Sequence, residues 1–120
     1  MSVNFFLKAP LAARILPALL GVAALAASSQ VSAGGNVAAG EKKAETCAAC
    51  HGPGGAKPAT PDYPVLAGQH PDYLRHALTA YQKGKRKNAI MSGMAAPLSK
   101  QDIADLAAYF ASQKGLTDKY

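Results

Sequence analysis

Two thiols and an imidazole lie within five consecutive residues of this 120-residue chain. The segment reads Cys47-Ala48-Ala49-Cys50-His51, and it contains both cysteines of the sequence. On a helical turn, residues three positions apart lie on nearly the same side. Both thiols can therefore form thioethers with the two vinyl groups on one edge of a haem, and the histidine that follows is held beneath the iron as an axial ligand. The spacing C-x-x-C-H thus predicts covalent attachment of one c-type haem.

Three other kinds of site also use cysteines at this spacing. A thioredoxin-like redox pair follows a strand in a βαβ unit, and no strand pattern precedes Cys47. A structural zinc ion needs four ligands, and the sequence contains no second cluster of Cys and His. A disulfide between Cys47 and Cys50 would not require the adjacent histidine. Taken with the export signal described next, the motif favours haem attachment over these alternatives.

The first 33 residues differ in composition from the rest of the chain. Lys8 and Arg14 precede a mostly apolar stretch over 15–27, and no acidic residue occurs in this segment. Val31-Ser32-Ala33 then has the small-x-small form of a signal-peptidase site. A helix over the apolar stretch would cover about 20 Å, which is less than the ~30 Å hydrocarbon core of a bilayer. The segment 1–33 is therefore predicted to be a cleaved signal peptide that directs export to the periplasm and leaves no stable membrane span. An uncleaved N-terminal anchor is the alternative.

Residues 34–120 are predicted to form one small domain. Domains of this size bury a smaller fraction of their surface than larger domains do, are only marginally stable, and usually depend on a disulfide, a metal or a cofactor. A covalently bound haem would meet that need. The formal net charge of the whole chain is +6, but nucleic acid is not an expected target for an exported haem protein.

Helical periodicity accounts for most of the residues after position 35. Asn36 can cap a first helix, and Pro71 can begin a second that ends near Gly84. The Ser99–Asp102 capping box can begin a third. The predicted buried positions of the last two helices recur at helical spacing: Leu74, Ala77, Leu78 and Tyr81, then Ile103, Leu106, Ala107 and Phe110. The prediction is an all-α fold of three to four helices around one covalently bound haem.

Two methionines, Met91 and Met94, lie in a predicted loop between the second and third helices. Thioether sulfur is a common axial ligand in haem electron carriers, where it raises the reduction potential and closes the iron to other ligands. Methionine more often fills a hydrophobic core. If haem is bound, one of these two residues is the candidate sixth ligand, and their position in the loop does not distinguish them.

Several further segments combine with C-x-x-C-H into one pattern. They are Pro64-Val65-Leu66-Ala67-Gly68-Gln69, Tyr73-Leu74, Leu78, Tyr81, Gly84, Arg86, Met91-x-Gly93-Met94, Leu98-Ser99 and 102–110. With these residues, the chain resembles a class I cytochrome c, and more closely the cytochrome c4 and small c553 type. The resemblance covers nearly all of residues 37–113. Cytochrome c4 proper has two such domains in tandem, whereas this sequence has one C-x-x-C-H.

The resemblance implies roles for individual residues. Met91 corresponds to the axial ligand of the family, and Met94 corresponds to a second methionine that does not bind iron. Pro64 corresponds to the proline whose carbonyl accepts the other N–H of the proximal histidine. Gly40 corresponds to the crossing of the first and last helices, against Tyr109 and Phe110, which would explain a glycine that costs about 1 kcal/mol inside a helix.

The implied function is that of a periplasmic one-electron carrier in a respiratory or related redox chain, and not that of an enzyme. One alternative is a haem subunit that stays bound to a dehydrogenase or oxidase. Another is an enzyme or gas-binding protein, which would need an open iron position. The basic residues Lys83, Lys85, Arg86 and Lys87 could attract an acidic redox partner. They could equally be a solvated basic helix end with no partner, since cations are favourable there.

Overall fold

The computed structural model describes residues 34–116, which form five α-helices and one 3₁₀ turn. The elements in chain order are α1 (Val37–Ala44), α2 (Ala48–His51), a 3₁₀ turn (Pro53–Gly55), α3 (Pro71–Gln82), α4 (Ala89–Ala95) and α5 (Lys100–Ser112). No strand occurs among these residues, so the predicted all-α class is confirmed. The predicted signal peptide over 1–33 lies outside the described residues. None of the helices within 34–116 combines the length and hydropathy needed to cross a bilayer.

The three predicted helix starts are confirmed: α3 begins at Pro71 without a side-chain cap, and α1 and α5 begin with capping hydrogen bonds. The Asn36 side chain accepts from the backbone N–H of Ala39 at 2.9 Å, which caps α1. Ser99 Oγ accepts from the backbone N–H of Asp102 at 3.0 Å, and Asp102 Oδ2 accepts from that of Ser99 at 2.9 Å. These reciprocal bonds form the capping box at the start of α5, so local sequence alone determines where this helix begins.

The helix count exceeds the predicted three to four because two short helices were not expected. Four residues form α2, and seven form α4. Met91 and Met94 therefore lie in a helix, not in the predicted loop. The Asn88 side chain caps α4 by accepting from the backbone N–H of Met91 at 3.0 Å. A helix of two turns is too short to show apolar periodicity, and Gly93 in its interior further weakens the helical signal.

The core is centred on α5, which packs against α1 and α3. Leu106 and Ala107 are almost fully enclosed, and they form one cluster with the following residues: Ala44, Leu74, Tyr109 and Phe110. The buried positions predicted for α5 from its spacing are all confirmed. On α3, Leu74 and Ala77 are buried, while Leu78 and Tyr81 are only partly so.

The crossing of α1 and α5 takes place at Gly40. A Cβ atom on this residue would lie 2.1 Å from the backbone oxygen of Asp105 and 2.7 Å from Cβ of Tyr109. The expected crossing against Tyr109 is confirmed. The ring of Phe110, by contrast, lies 2.9 Å from where a Cβ of Gly55 would be, and so it packs against the 3₁₀ turn.

Polar contacts reinforce the same helix pair. Asp105 is buried, and its Oδ1 accepts from the backbone N–H of Asn36 and from Gln101 Nε2, both at 2.8 Å. Lys43 Nζ lies 2.8 Å from Asp102 Oδ1. These contacts tie the start of α1 and its last turn to the first half of α5.

The long loop over 56–70 is anchored at its far end. The carbonyl of Gly55 accepts from the backbone N–H groups of Leu66 and Ala67 at 2.9 and 3.1 Å. Gly68 donates to the Phe110 carbonyl at 2.9 Å, and Leu116 donates to the Ala67 carbonyl at 2.7 Å. The loop is therefore held against both the 3₁₀ turn and the end of α5, although it contains no regular structure.

Candidate haem site

A cavity of about 650 Å³ opens among α2, the 56–70 loop, α3, α4 and α5. Its volume falls in the range of roughly 300–1,000 Å³ that is usual for cofactor sites. Apolar side chains from α3 and α5 line one part of it: Leu74, Ala77, Leu78, Leu106 and Phe110. The candidate residues of the sequence analysis also line it: Cys47, Cys50, His51, Pro64, Met91 and Met94. The candidate residues, which are up to 47 positions apart in the sequence, thus meet around one cavity.

His51 is held in a single orientation. It is 6 % exposed, and its Nδ1 lies 2.8 Å from the carbonyl oxygen of Pro64. A carbonyl can only accept, so Nδ1 carries the ring proton and donates it, which leaves the lone pair on Nε2. Neutral imidazole in this tautomer is the form that binds a metal through Nε2. The contact with Pro64 that the resemblance implied is present in the structure.

Tyr63 is a cavity residue that the sequence analysis missed. Its ring meets the His51 ring edge-on, with centroids 6.1 Å apart and planes inclined at 62°. A hydrogen bond to the Cys50 sulfur, together with the charge of that group, raises the pKa of the Tyr63 hydroxyl. One feature of the sequence could have indicated Tyr63. It directly precedes Pro64, and a residue next to Pro64 must lie near His51 if His51 bonds the Pro64 carbonyl.

Cys47 and Cys50 are both free and half-buried. Burial raises the pKa of the Cys47 thiol, which is the opposite of what a reactive redox cysteine requires. Residues 34–116 contain no group of three or more His, Cys, Asp and Glu side chains that could hold a metal ion between them. The structure therefore favours neither a thioredoxin-like pair nor a structural zinc site.

The two methionines share one face of α4 because they are three residues apart. Met91 is half-buried, whereas Met94 is 41 % exposed. Gln82 at the end of α3 fixes the end of this segment, since its Nε2 donates to the carbonyls of Ala95 and Leu98 at 3.1 and 2.7 Å. Both methionines line the cavity, and Met91 is the more enclosed of the two.

The donor set suits a haem. The cavity offers two thiols, an imidazole with a free Nε2 and a thioether, within walls that are largely apolar. Nitrogen and sulfur donors of this kind are the axial ligands of haem iron in electron-transfer proteins. The residues present therefore fit the covalently bound cofactor that the motif predicts.

The four basic residues predicted to attract a partner do not all line the cavity. All four are exposed, and among them Arg86 alone lines the cavity, whereas Lys83, Lys85 and Lys87 do not. The arginine lies 4.7 Å from the centroid of the Tyr81 ring. The basic segment is therefore composed of one cavity residue and three surface residues.

Comparison with known proteins agrees with this geometry. The family model described as cytochrome c matches residues 37–114. Cytochrome c-554(548) of Halomonas halodenitrificans is 51% identical over 83 residues, which are 67% of this chain and 99% of that protein. Cytochrome c4 of Pseudomonas aeruginosa is 51% identical over 82 residues, which are 68% of this chain and 40% of that protein.

The fold also matches a solved structure, the reduced recombinant cytochrome c4 from Pseudomonas stutzeri. That match has a TM-score of 0.63 and 42% sequence identity, and it covers 68% of this chain and 47% of the other. The chain thus spans less than half the length of these cytochrome c4 proteins and nearly all of the Halomonas protein. Since the family model covers more than half of the sequence, the chain belongs to the cytochrome c family, whose members bind haem c and its iron covalently.

Proposed function

We propose that this protein is a c-type cytochrome with one haem that carries single electrons between redox proteins. The observation that supports it most is the orientation of His51, which is buried, bonded through Nδ1 to Pro64, and placed in the same cavity as Cys47, Cys50 and Met91. When bound, the haem supplies an iron centre that alternates between the ferric and ferrous states.

Each residue of the site has a distinct role in this proposal. Cys47 and Cys50 would hold the porphyrin through thioether bonds, each thiol giving its sulfur and its proton to one vinyl group. His51 and Met91 would hold the iron, and Met94 would not bind it. Pro64 fixes the His51 tautomer and keeps the ring from rotating. With two protein side chains bound to the iron, a substrate would have no free position on it, and this ligand set therefore supports an electron carrier.

The apolar walls suit this role for a physical reason. Leu74, Leu106 and Phe110 belong to the rigid core and also line the cavity. Their side chains exclude water from the iron, so few solvent dipoles need to reorient when its charge changes. A closely packed apolar shell therefore favours rapid electron exchange over bond-making chemistry.

The proposed carrier meets its partners through the basic surface. Lys83, Lys85 and Lys87 lie beside the cavity segment and would steer an acidic partner towards it by long-range attraction. The apolar side chain of Ile90, which is 62 % exposed, lies at the cavity as well and offers a contact that is not charged.

A second candidate is a subunit or dedicated acceptor of a dehydrogenase. A relative from Thiomonas intermedia, 44% identical over 77 residues that make up 64% of this chain and 36% of that protein, is named thiosulfate dehydrogenase electron acceptor. This relative supports a dehydrogenase that oxidises a sulfur compound as one possible electron donor. Native mass spectrometry distinguishes the two candidates, because a stoichiometric complex would overturn the free-carrier proposal.

The proposal extends to the organisation of the chain. Residues 1–33 would be a signal peptide removed on export to the periplasm, and residues 34–120 would be the cytochrome domain. Mass spectrometry of protein secreted into the periplasm would give the N-terminus directly. A mature chain that begins at residue 34 is expected, and retention of 1–33 in the membrane fraction would favour the uncleaved anchor.

The central experiment is to produce the full chain in cells that have a cytochrome c maturation system. The purified protein should contain one covalently bound haem, shown by a pyridine haemochrome spectrum that survives acid–acetone extraction. A redox titration should follow a one-electron curve, and the reduced protein should not bind carbon monoxide at neutral pH. Ready binding of carbon monoxide would exclude Met91 ligation and would favour an open iron.

A further inference from the structure

A second, smaller groove lies between α1, α2, the 3₁₀ turn and α5, and it shares no lining residue with the haem cavity. Its volume is about 250 Å³. This is below the range of roughly 300–1,000 Å³ that is usual for cofactors and other small ligands, so the groove suits a single side chain. Its polar groups come from Glu41, Glu45 and Tyr109, and its apolar surface includes Ala44, Ala48 and Pro53.

The two carboxylates of this groove have no partner of their own. Glu41 and Glu45 are exposed and lie one turn apart on α1, a spacing at which Cβ atoms are about 5–6 Å from each other. The ion pairs within residues 34–116 include neither of them, and no lysine or arginine of that range lines the groove. Like charges at this spacing are unfavourable in a helix, so the pair does not serve to stabilise α1.

Tyr109 supplies a third oxygen that has no partner. The residue is 9 % exposed, and its backbone carbonyl accepts from Ser112 and Gln113. Its hydroxyl, however, makes no hydrogen bond within residues 34–116. Every fully buried polar side-chain atom in that range has a partner, so the Tyr109 hydroxyl is not sealed in the core and is open to the groove that the residue lines.

The groove is separated from the haem cavity by very little protein. The four residues of α2 lie between the two spaces, since Ala48 lines the groove while Cys50 and His51 line the cavity. The ring of Tyr109 also lies against that of Phe110, with centroids 5.2 Å apart, and Phe110 lines the cavity. A molecule seated in the groove would therefore be one helical turn away from the residues that hold the haem.

We propose that Glu41, Glu45 and the Tyr109 hydroxyl bind a lysine side chain of a basic redox partner, and that the groove is a docking surface separate from the haem cavity. The inference rests on the proposed function, because a redox partner has no role without the haem. An ammonium group has three N–H donors, which match two carboxylates and one hydroxyl. The aliphatic part of a lysine would lie on the apolar surface of Ala44, Ala48 and Pro53.

Other occupants fit this groove less well. A metal ion would need more ligands, and residues 34–116 contain no group of three or more His, Cys, Asp and Glu side chains that could hold one. An acidic partner would be repelled by the two carboxylates and would be drawn to Lys83, Lys85 and Lys87 instead. Because the groove and the haem cavity have no lining residue in common, a basic partner in the groove leaves that basic segment free for an acidic one.

The test is a titration of the reduced, haem-loaded, ¹⁵N-labelled protein with an acetylated and amidated tetralysine peptide at low ionic strength. The amide signals of α1 and α2 should shift, and those of α3 should not. Glu41→Gln and Glu45→Gln should each raise the Kd of the peptide by about two- to five-fold, as expected for one exposed ion pair. Tyr109→Phe keeps the ring and should raise it less, and the double glutamine variant should abolish the shifts in α1 and α2.

Two controls separate the groove from the charge of the protein as a whole. Asp72→Asn removes one negative charge from α3, outside the groove, and should change the Kd less than either glutamate variant. Tetraglutamine should cause no shift, because it has no ammonium group. The inference is wrong if the lysine peptide leaves α1 and α2 unshifted, if Asp72→Asn weakens binding as much as Glu41→Gln and Glu45→Gln do, or if tetraglutamine causes the same shifts.

These outcomes are distinct from those that test the proposed function. If the wild-type chain carries covalent haem and titrates with one electron but the peptide does not bind at the groove, only the docking surface is wrong. If the chain carries no covalent haem, the proposed function and the docking surface are both wrong. Circular dichroism and haem content show that each variant is folded and loaded, which is expected because Glu41 and Glu45 are exposed.

Discussion

Individual residues of the site differ in how far the sequence could define them. Cys47, Cys50 and His51 are adjacent, so their chemistry follows from local spacing. The contact of His51 with Pro64 was implied by the family resemblance and is present at 2.8 Å. Tyr63 could not be found in the same way, because its contact with the histidine depends on the path of a loop that has no periodic pattern.

The two methionines offer the clearest test at this scale. Met91→Ala should remove the weak absorption band at long wavelength that reports a sulfur–iron bond, and it should lower the midpoint potential, because a thioether ligand favours ferrous iron. Met94 lies on the same face of α4 but is more exposed, so Met94→Ala is the control and should keep the band. Loss of the band in Met94→Ala with its retention in Met91→Ala would reverse the assignment of the ligand.

At the scale of elements, caps and periodicity were sufficient for the three longer segments. Asn36 and the Ser99–Asp102 box each define a helix start through side-chain bonds made within a few residues, and Pro71 begins α3 through its fixed φ, without a side-chain cap. The helix α2 was missed because its four residues are too few to show periodicity, and α4 was missed although Asn88 caps it locally, because Gln82 bonds its end from a different helix. A short segment stabilised by distant partners leaves no pattern in its own sequence.

Replacement by alanine should have opposite effects on stability at two glycines that lie inside helices. Gly40→Ala should destabilise the haem-loaded protein by about 1–3 kcal/mol, because the new methyl group would overlap the Asp105 carbonyl at the α1–α5 crossing. Gly93→Ala in α4 meets no atom within 4 Å and should stabilise by roughly 0.5–1 kcal/mol through helix propensity. Denaturant unfolding of both variants measures their free energies of unfolding. Equal changes in the two variants would contradict the close crossing of α1 and α5 at Gly40.

The start of α5 carries a pH-dependent contribution to stability. The hydrogen bond from Lys43, with the backbone and hydroxyl bonds from Ser99, lowers the pKa of Asp102 to about 2 from its ordinary 3.8. Since the folded pKa is the lower one, ionised Asp102 stabilises the fold above about pH 4, and this stabilisation is lost as the pH falls through about 2. The same pair raises the pKa of Lys43.

Asp102→Asn keeps an oxygen that can accept from Ser99 but removes the negative charge beside Lys43 and the helix N-terminus, so it should lower the free energy of unfolding by about 0.5–1 kcal/mol at neutral pH. The difference from the wild type should shrink towards zero between pH 4 and pH 2. Asp72→Asn is the control, because Asp72 pairs only with Arg75 in its own helix. A difference that stays constant down to pH 2 would show that the ionised carboxylate is not the source.

At the scale of the whole molecule, a cavity of about 650 Å³ in a chain of this size leaves few side chains to form a core. The apolar residues of α3 and α5 that line it would be exposed to water without a ligand. The size of the domain was enough to predict that its stability depends on a bound cofactor. The arrangement of the cavity could not be predicted, because it results from contacts between α3, α4 and α5, which are distant in the chain.

The chain without haem is consequently expected to be largely unfolded. A variant with Cys47→Ala and Cys50→Ala cannot attach the cofactor and should show little helical circular dichroism and no cooperative thermal transition. The haem-loaded wild type serves as the reference. Helicity in the variant close to that of the wild type would show that the protein residues alone are sufficient for the fold.

The crossing of α1 over α5 also bears on how a ligand becomes enclosed in the cavity. Its two helices are separated by most of the domain, so the contact at Gly40 closes a long loop of chain. The cysteines, in contrast, directly follow α1 and are within reach of a ligand before α5 has docked. Covalent attachment can therefore precede closure of the cavity, and the last helix then encloses a ligand that is already attached to the chain.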